Sequence, residues 1–190
     1  MAPEELEETE EAPEIDEERL ARRAEALRHV RQFGDPVLKS QAAPVTEFDD
    51  ELRATLERMA FLMEEAIGVG LAANQVGELR RMLVYRLGED EPYEALVNPN
   101  IEWFSDETEP GFEGCLSLPE VSLEIERPVR IRVRAHDRFG EEREFEAEGL
   151  EARVIQHEVD HLDGVLIVDR ASRSDRREAM RTLREAARGS

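Results

Sequence analysis

The stretch Gly149-Leu150-Glu151-Ala152-Arg153-Val154-Ile155-Gln156-His157-Glu158-Val159-Asp160-His161-Leu162-Asp163 organises the rest of the chain around it. It reads as a helix over 149–163. Leu150 and Val154 share a face with His157 and His161, and Ala152, Ile155, Val159 and Leu162 cover the remainder. A helix that is apolar nearly all round belongs in an interior. Buried His, Glu, Asp and His are costly there unless they pair or coordinate. At ~100° per residue His161 lies ~40° around from His157, so both imidazoles can reach one ion from adjacent turns. Glu158 lies ~60° beyond His161, close enough to handle a proton without being a ligand. The pattern is HExxH, a metal-hydrolase signature. The plainer alternative is a pair of core histidines satisfied by hydrogen bonds.

Two histidines do not complete a catalytic metal site; a third protein ligand is required. Three sources are open. An extended HExxHxxGxxH pattern would use the position of Ile167, which is not a ligand, although Gly164 fits its glycine. A glutamate from a later helix would be Glu178 or Glu185, both on an Arg-rich segment that reads as solvated. The remaining source is Cys115, the sole cysteine of the chain. A lone cysteine cannot close an internal disulfide, and by itself it is usually an apolar filler.

Outward from this helix, the spacing predicts further elements. Residues 19–32 read as a short helix running into the turn Phe33-Gly34-Asp35-Pro36. Asp49 or Asp50 caps a helix with Leu52, Leu56, Met59, Met63 and Ala66 at helical intervals, ending at Gly68. Arg81–Leu87 and Ala95–Phe104 read as strands, the second bent at Pro99. Val129, Ile131, Val133 and Ala135 alternate with Arg130, Arg132, Arg134 and His136, giving a strand with one wet face that turns at Asp137–Gly140 into another through Phe145. Val165–Val168 reads as a short extended piece, and 174–188 as a last helix. Strands clustered ahead of a buried helix predict an α+β fold, with mostly antiparallel sheets packed around the HExxH helix and an additional C-terminal helix.

Charge divides the 190 residues unevenly. The formal net charge is −21, and residues 1–18 carry ten acids and no base. That segment reads as a disordered acidic tail, residues 19–170 as the catalytic domain, and 171–190 as a basic C-terminal helix. Arg170, Arg173, Arg176, Arg177, Arg181, Arg184 and Arg188 stand against three acids in residues 170–188. So acidic a body repels nucleic acid in general. No apolar run of about 18 residues is present to span a membrane, and the N-terminus lacks a basic region followed by an apolar one. The expected setting is cytoplasmic. His29 and His136 fall outside ligand spacing and read as surface or structural residues.

Three segments together resemble the peptide deformylase family. Gly68-Val69-Gly70-Leu71-Ala72-Ala73-Asn74-Gln75 is similar to its first motif, GxGxAAxQ; Glu113-Gly114-Cys115-Leu116-Ser117 matches its second, EGCLS; Gln156–His161 matches its third, QHExDH. They occur in the family's order across roughly residues 28–170. Asn74 falls at a variable position, and Ser122 stands where some relatives carry Arg.

The resemblance implies a hydrolase that removes the N-formyl group from the N-terminal methionine of new peptides by attack of metal-bound water. It implies Cys115, His157 and His161 as ligands of one divalent ion, Fe(II) first, with Zn, Ni or Co accepted. Glu158 accepts and returns the proton, and the Gln75 amide and Leu116 N–H stabilise the oxyanion. The peptide would lie extended beside Val69, Gly70 and Gly114, with Val69, Leu150 and Val154 walling the methionine pocket and Arg153 at its mouth. A monomer and, through the C-terminal helix, the ribosome are the expected states and partners. The alternatives are an HExxH peptidase and a deformylase-like protein acting on another formyl or acyl group.

Overall fold

A computed structural model describes residues 16–188; of the acidic tail, residues 1–15 lie outside it. Asp16 caps helix α1 (Glu17–Leu27), its carboxylate accepting from the Arg19 N–H at 2.7 Å. Glu17 and Glu18 thus sit in a first helical turn, where negative charge is favoured, rather than in the tail. The helix stops at Leu27, short of residue 32. Beyond it the amides of Arg31 and Phe33 turn outward to bond the carbonyls of Gln75 (2.6 Å) and Ser117 (2.8 Å), and Val30 is buried.

Helix α2 (Asp50–Glu65) is capped by Asp49, which accepts from the Leu52 N–H at 2.9 Å. Its Leu52, Leu56, Met59 and Met63 are wholly buried. The reversal after it falls on Ile67, at φ 58°, one residue before the expected Gly68. Gly68 serves a different need: a Cβ there would lie 2.9 Å from the Leu116 side chain.

Five strands form an antiparallel sheet in the order β1-β2-β3-β6-β7: β1 (Gly70–Ala72), β2 (Met82–Tyr85), β3 (Glu94–Phe104), β6 (Arg130–His136) and β7 (Glu142–Glu148). The bend expected at Pro99 is a register shift between Val97 and Asn100. Asn98, at φ 53°, spans it by exchanging hydrogen bonds with the Val45 backbone, 2.7 and 2.9 Å. A second sheet is the hairpin of β4 (Thr108–Cys115) and β5 (Leu118–Pro128). Side chains alternate along β5: Val121, Leu123 and Ile125 are buried, and Ser122, Glu124 and Glu126 are exposed.

Helix α3 (Gly149–Leu162) packs against β1, β2 and β7 of the large sheet and against β5 of the hairpin. Gly149 starts it at φ 57°. The piece expected to be extended at 165–168 is instead a helical turn, α4 (Ile167–Arg170), because the Asp169 carboxylate caps the Leu166 N–H at 2.9 Å. Helix α5 (Arg173–Arg188) lays Ala179 and Leu183 into a small core with Leu123 and Ile125. The fold is α+β, with antiparallel sheets and several helices. No helix among the described residues is long and apolar enough to cross a membrane.

Candidate active site

Three loops or elements converge on α3. The last residue of β4 is Cys115, the start of β1 with the residue before it delivers Gly70 and Val69, and the short 3₁₀ turn Ala73–Val76 delivers Gln75. The ligand atoms of Cys115, His157 and His161 lie within 4.8 Å of one another, with Cys115 Sγ 3.3 Å from His161 Nε2. Among the described residues this is the one group of three such side chains so placed. Glu178 lies on α5 beside Asp175, lining a separate cavity, and Ile167 is buried in the small core.

The donor set fits a divalent ion. One thiol and two imidazoles suit Fe, Zn, Ni or Co. Burial, together with the charge on His157, holds the His161 pKa well below the usual imidazole value. The ring is therefore neutral, with a lone pair to give. Burial also pushes His157 down, but Cys115, Glu113 and Glu158 outweigh it and raise it well above the usual value. Such a ring holds a proton against the thiol where a cation would serve the same charge.

A buried ion chain fixes the first histidine. The His157 Nδ1–H donates to Glu113 Oε2 at 2.9 Å. Arg127 grips the same carboxylate through two bonds, 2.8 and 2.9 Å, and passes a third N–H to Asp160 at 2.6 Å. Asp160 in turn receives a two-bond fork from Arg170, 2.5 and 2.6 Å. Burial would raise the Glu113 carboxyl, but the bonds from Arg127 and His157 prevail and hold it at about 2. An ionised carboxylate behind a ligating imidazole fixes ring orientation and raises its basicity. Arg153, expected at the pocket mouth, lines the groove and is held there against the hairpin by Glu113 Oε1 and the Ile125 and Glu109 carbonyls.

Glu158 is buried, and its Oε2 has no hydrogen-bond partner among the described residues. Burial pushes its pKa up to about 7, the range in which a carboxyl can both take and return a proton. Gly70 makes room for it: a Cβ at that position would fall 2.4 Å from Glu158 Oε1. Gln75 is oriented from both ends. Its Oε1 accepts from the Ala72 N–H at 3.0 Å, and its Nε2 donates to Ser117 Oγ at 3.0 Å while standing 3.7 Å from Cys115 Sγ.

A groove of about 1080 Å³ opens over these residues, and it is also lined by Val69, Gly114, Leu116, Leu150 and Val154. Val154 is buried, whereas Val69 and Leu150 are about half exposed, 52% and 56%, and present apolar surface to the groove. His29 is exposed beside Glu25, and His136 packs against Phe48 with ring centroids 5.6 Å apart. The motifs alone give Glu113 no role and do not point to Arg127 or Ser117. Arg127 carried a signal, since it continues the buried parity of Val121, Leu123 and Ile125.

Comparison with known proteins agrees with this geometry. A sequence model of the polypeptide deformylase family matches residues 27–177. A peptide deformylase of Thermotoga sp. (strain RQ2) is 50% identical over 159 residues, 84% of this chain and 96% of that protein. The crystal structure of peptide deformylase from Thermotoga maritima superposes with a TM-score of 0.73 at 52% identity, covering 75% of this chain and 96% of that one. A peptide deformylase from Synechococcus elongatus, solved in complex with actinonin, gives a TM-score of 0.78 at 43% identity, covering 80% and 85% of the two chains. A peptidase reading of the HExxH helix finds no support beside these. With Cys115 brought to the two histidines and the match running through all three motifs, the chain belongs to the peptide deformylase family.

Proposed function

We propose that this protein removes the formyl group from the N-terminal methionine of newly made chains in the cytosol, with Cys115, His157 and His161 holding one divalent ion. The observation that carries the reading is the convergence of a single thiol with both HExxH imidazoles beside an unpartnered buried carboxylate. Bound there, the ion supplies Lewis-acid activation of water and of the formyl carbonyl; Fe(II) is the metal we assign by family resemblance.

The remaining work falls to the chain. Glu158 takes a proton from the attacking water as its oxygen adds to the formyl carbon. The carbon–nitrogen bond then breaks, formate leaves, and Glu158 returns the proton to the departing amine. The oxyanion formed on addition needs donors aimed at it. Gln75 gives one Nε2 hydrogen to Ser117 and directs the other toward Cys115 Sγ, on the side where the oxyanion would form, and the Leu116 N–H follows next in the chain. The peptide backbone pairs as an added strand beside Val69, Gly70 and Gly114. Its methionine side chain packs among Val69, Leu150 and Val154. Native protein prepared without oxygen should release formate from formyl-Met-Ala-Ser and leave the internal bonds intact; cleavage of those bonds without formate would favour a peptidase.

We also propose that α5 docks the enzyme, as a monomer, on ribosomal RNA. Of its arginines, Arg173, Arg177, Arg184 and Arg188 are exposed and make no ion pair among the described residues. Binding through phosphate contacts falls steeply with salt.

A further inference from the structure

Helix α1 lies outside the segment that matches the family, which begins at its last residue, Leu27. Yet it is built into the groove. Arg23, Ala24, Leu27 and Arg28 all line the same cavity as Cys115, His157 and Glu158. At ~100° per residue these four occupy one arc of ~140°. Arg22 and Arg19, on the other side, tie the helix down through Glu65 (3.5 Å) and Glu89 (2.5 Å). Ala26 is buried and α1 packs on α2.

The segment after α1 continues the anchoring. Gln32 donates to the Leu116 carbonyl at 3.2 Å, and the amides of Arg31 and Phe33 bond Gln75 and Ser117. The groove wall on the Leu116 side is therefore fixed to the turns that carry Cys115 and Gln75. A substrate whose first residue sits at the buried end must send its following residues outward, past exposed groove residues.

Two guanidiniums stand on that wall. Arg28 is 77% exposed and shared with Glu25 at 3.1 Å, while Arg23 makes no ion pair among the described residues. In a chain of net charge −21 the charged residues that α1 and its cap turn toward the groove are both basic. Glu120 also lines the groove, and alternate side chains of an extended peptide point to opposite sides. A carboxylate is favoured only where it faces α1.

We infer that α1 is a specificity element that this chain adds to the deformylase fold, with Arg23 and Arg28 selecting nascent peptides that bear an Asp or Glu a few residues after the formyl-methionine. The inference rests on the deformylase reading of the groove. The test is kcat/KM for formyl-Met-Ala-Ala-Ala-Ala-amide, whose blocked C-terminus carries no carboxylate, and for versions with Asp or Lys placed in turn at positions two to five, using the full chain and an Arg23→Glu/Arg28→Glu double variant. In the native enzyme Asp should exceed Lys at one or more positions by about two- to fivefold, the range of exposed ion pairs, and shrink in high salt. In the variant the preference should vanish or invert there, with turnover of the all-Ala peptide and the unfolding temperature unchanged. Turnover of the all-Ala peptide with the same Asp:Lys ratio in both proteins overturns the inference alone. No formate from any of the peptides overturns both it and the reading beneath it.

Discussion

Replacing Gly70 by alanine adds one methyl group at the most sensitive contact of the site. The new Cβ would stand 2.4 Å from Glu158 Oε1 and 2.9 Å from its Cγ and Cδ, where ordinary contact begins at 3.4 Å. The Glu158 carboxylate must therefore shift by about 1 Å, since β1 is held on one side by its pairing with β2. A misplacement of about 1 Å in a reacting group costs on the order of 10²-fold in rate, about 2.7 kcal/mol of barrier. The carboxylate is the far end of a flexible side chain, and alanine restricts the unfolded chain more than glycine does. The unfolding temperature should consequently stay within about 4 °C of native. The assay is formate release from formyl-Met-Ala-Ser with metal content measured in parallel. Gly114→Ala is the companion variant, because its Cβ would meet nothing of the chain nearer than the Val121 carbonyl at 3.9 Å; it leaves Glu158 in place and should keep its kcat far better, any loss falling on KM through the peptide strand beside it. A Gly70→Ala enzyme with native kcat would refute the assignment of Gly70 as clearance for Glu158.

Other outcomes follow from the same geometry. Arg127→Met leaves Glu113 and Asp160 buried with one partner fewer each, which should cost about 3–5 kcal/mol and lower the unfolding temperature by about 6–20 °C, read by calorimetry; a shift under 2–3 °C on that scale would deny the chain of ion pairs its structural role. Burial raises the Asp169 carboxyl, but the Lys39 ammonium and the Leu166 N–H prevail and hold it below the ordinary value. Its contribution is therefore present above the unfolded pKa of about 3.9 and lost as pH falls below it, so Asp169→Asn should destabilise by about 1 kcal/mol near neutrality and by less at acid pH in urea titrations. Cobalt-loaded protein should show thiolate-to-metal charge transfer that is absent in Cys115→Ala. Arg177→Glu/Arg184→Glu should weaken ribosome binding and flatten its salt dependence, which avoids removing α5 and uncovering the buried Ala179 and Leu183; unchanged affinity would count against docking through this helix.

The site was legible where chemistry is local in sequence. His157, Glu158 and His161 share one helix, and helical arithmetic alone places them together. Cys115 needs the motif, because nothing in spacing brings a residue 42 positions away onto that helix; the end of β4 does so. The hairpin is hard to read from the sequence although β5 alternates, since its exposed face is mostly charged and its buried face ends in Arg127. A guanidinium on apolar parity looks like the end of a strand, whereas here it is the partner of Glu113. The turn at Ile167–Arg170 looks extended in sequence because Ile167 and Val168 favour strands, and a single capping carboxylate, Asp169, reverses that preference. The end of α1 was set by tertiary bonds to Gln75 and Ser117, which no local pattern encodes.

The central claim is that Glu158 moves the proton in formyl hydrolysis at a Cys115–His157–His161 centre. The most direct measurement is formate release from formyl-Met-Ala-Ser by oxygen-free native protein beside Glu158→Ala, each with its bound metal quantified. The expected result is equal metal content with release reduced by about 10²–10⁴-fold in the variant, the range for loss of a general acid–base group. Native-like release by Glu158→Ala with metal bound would contradict it.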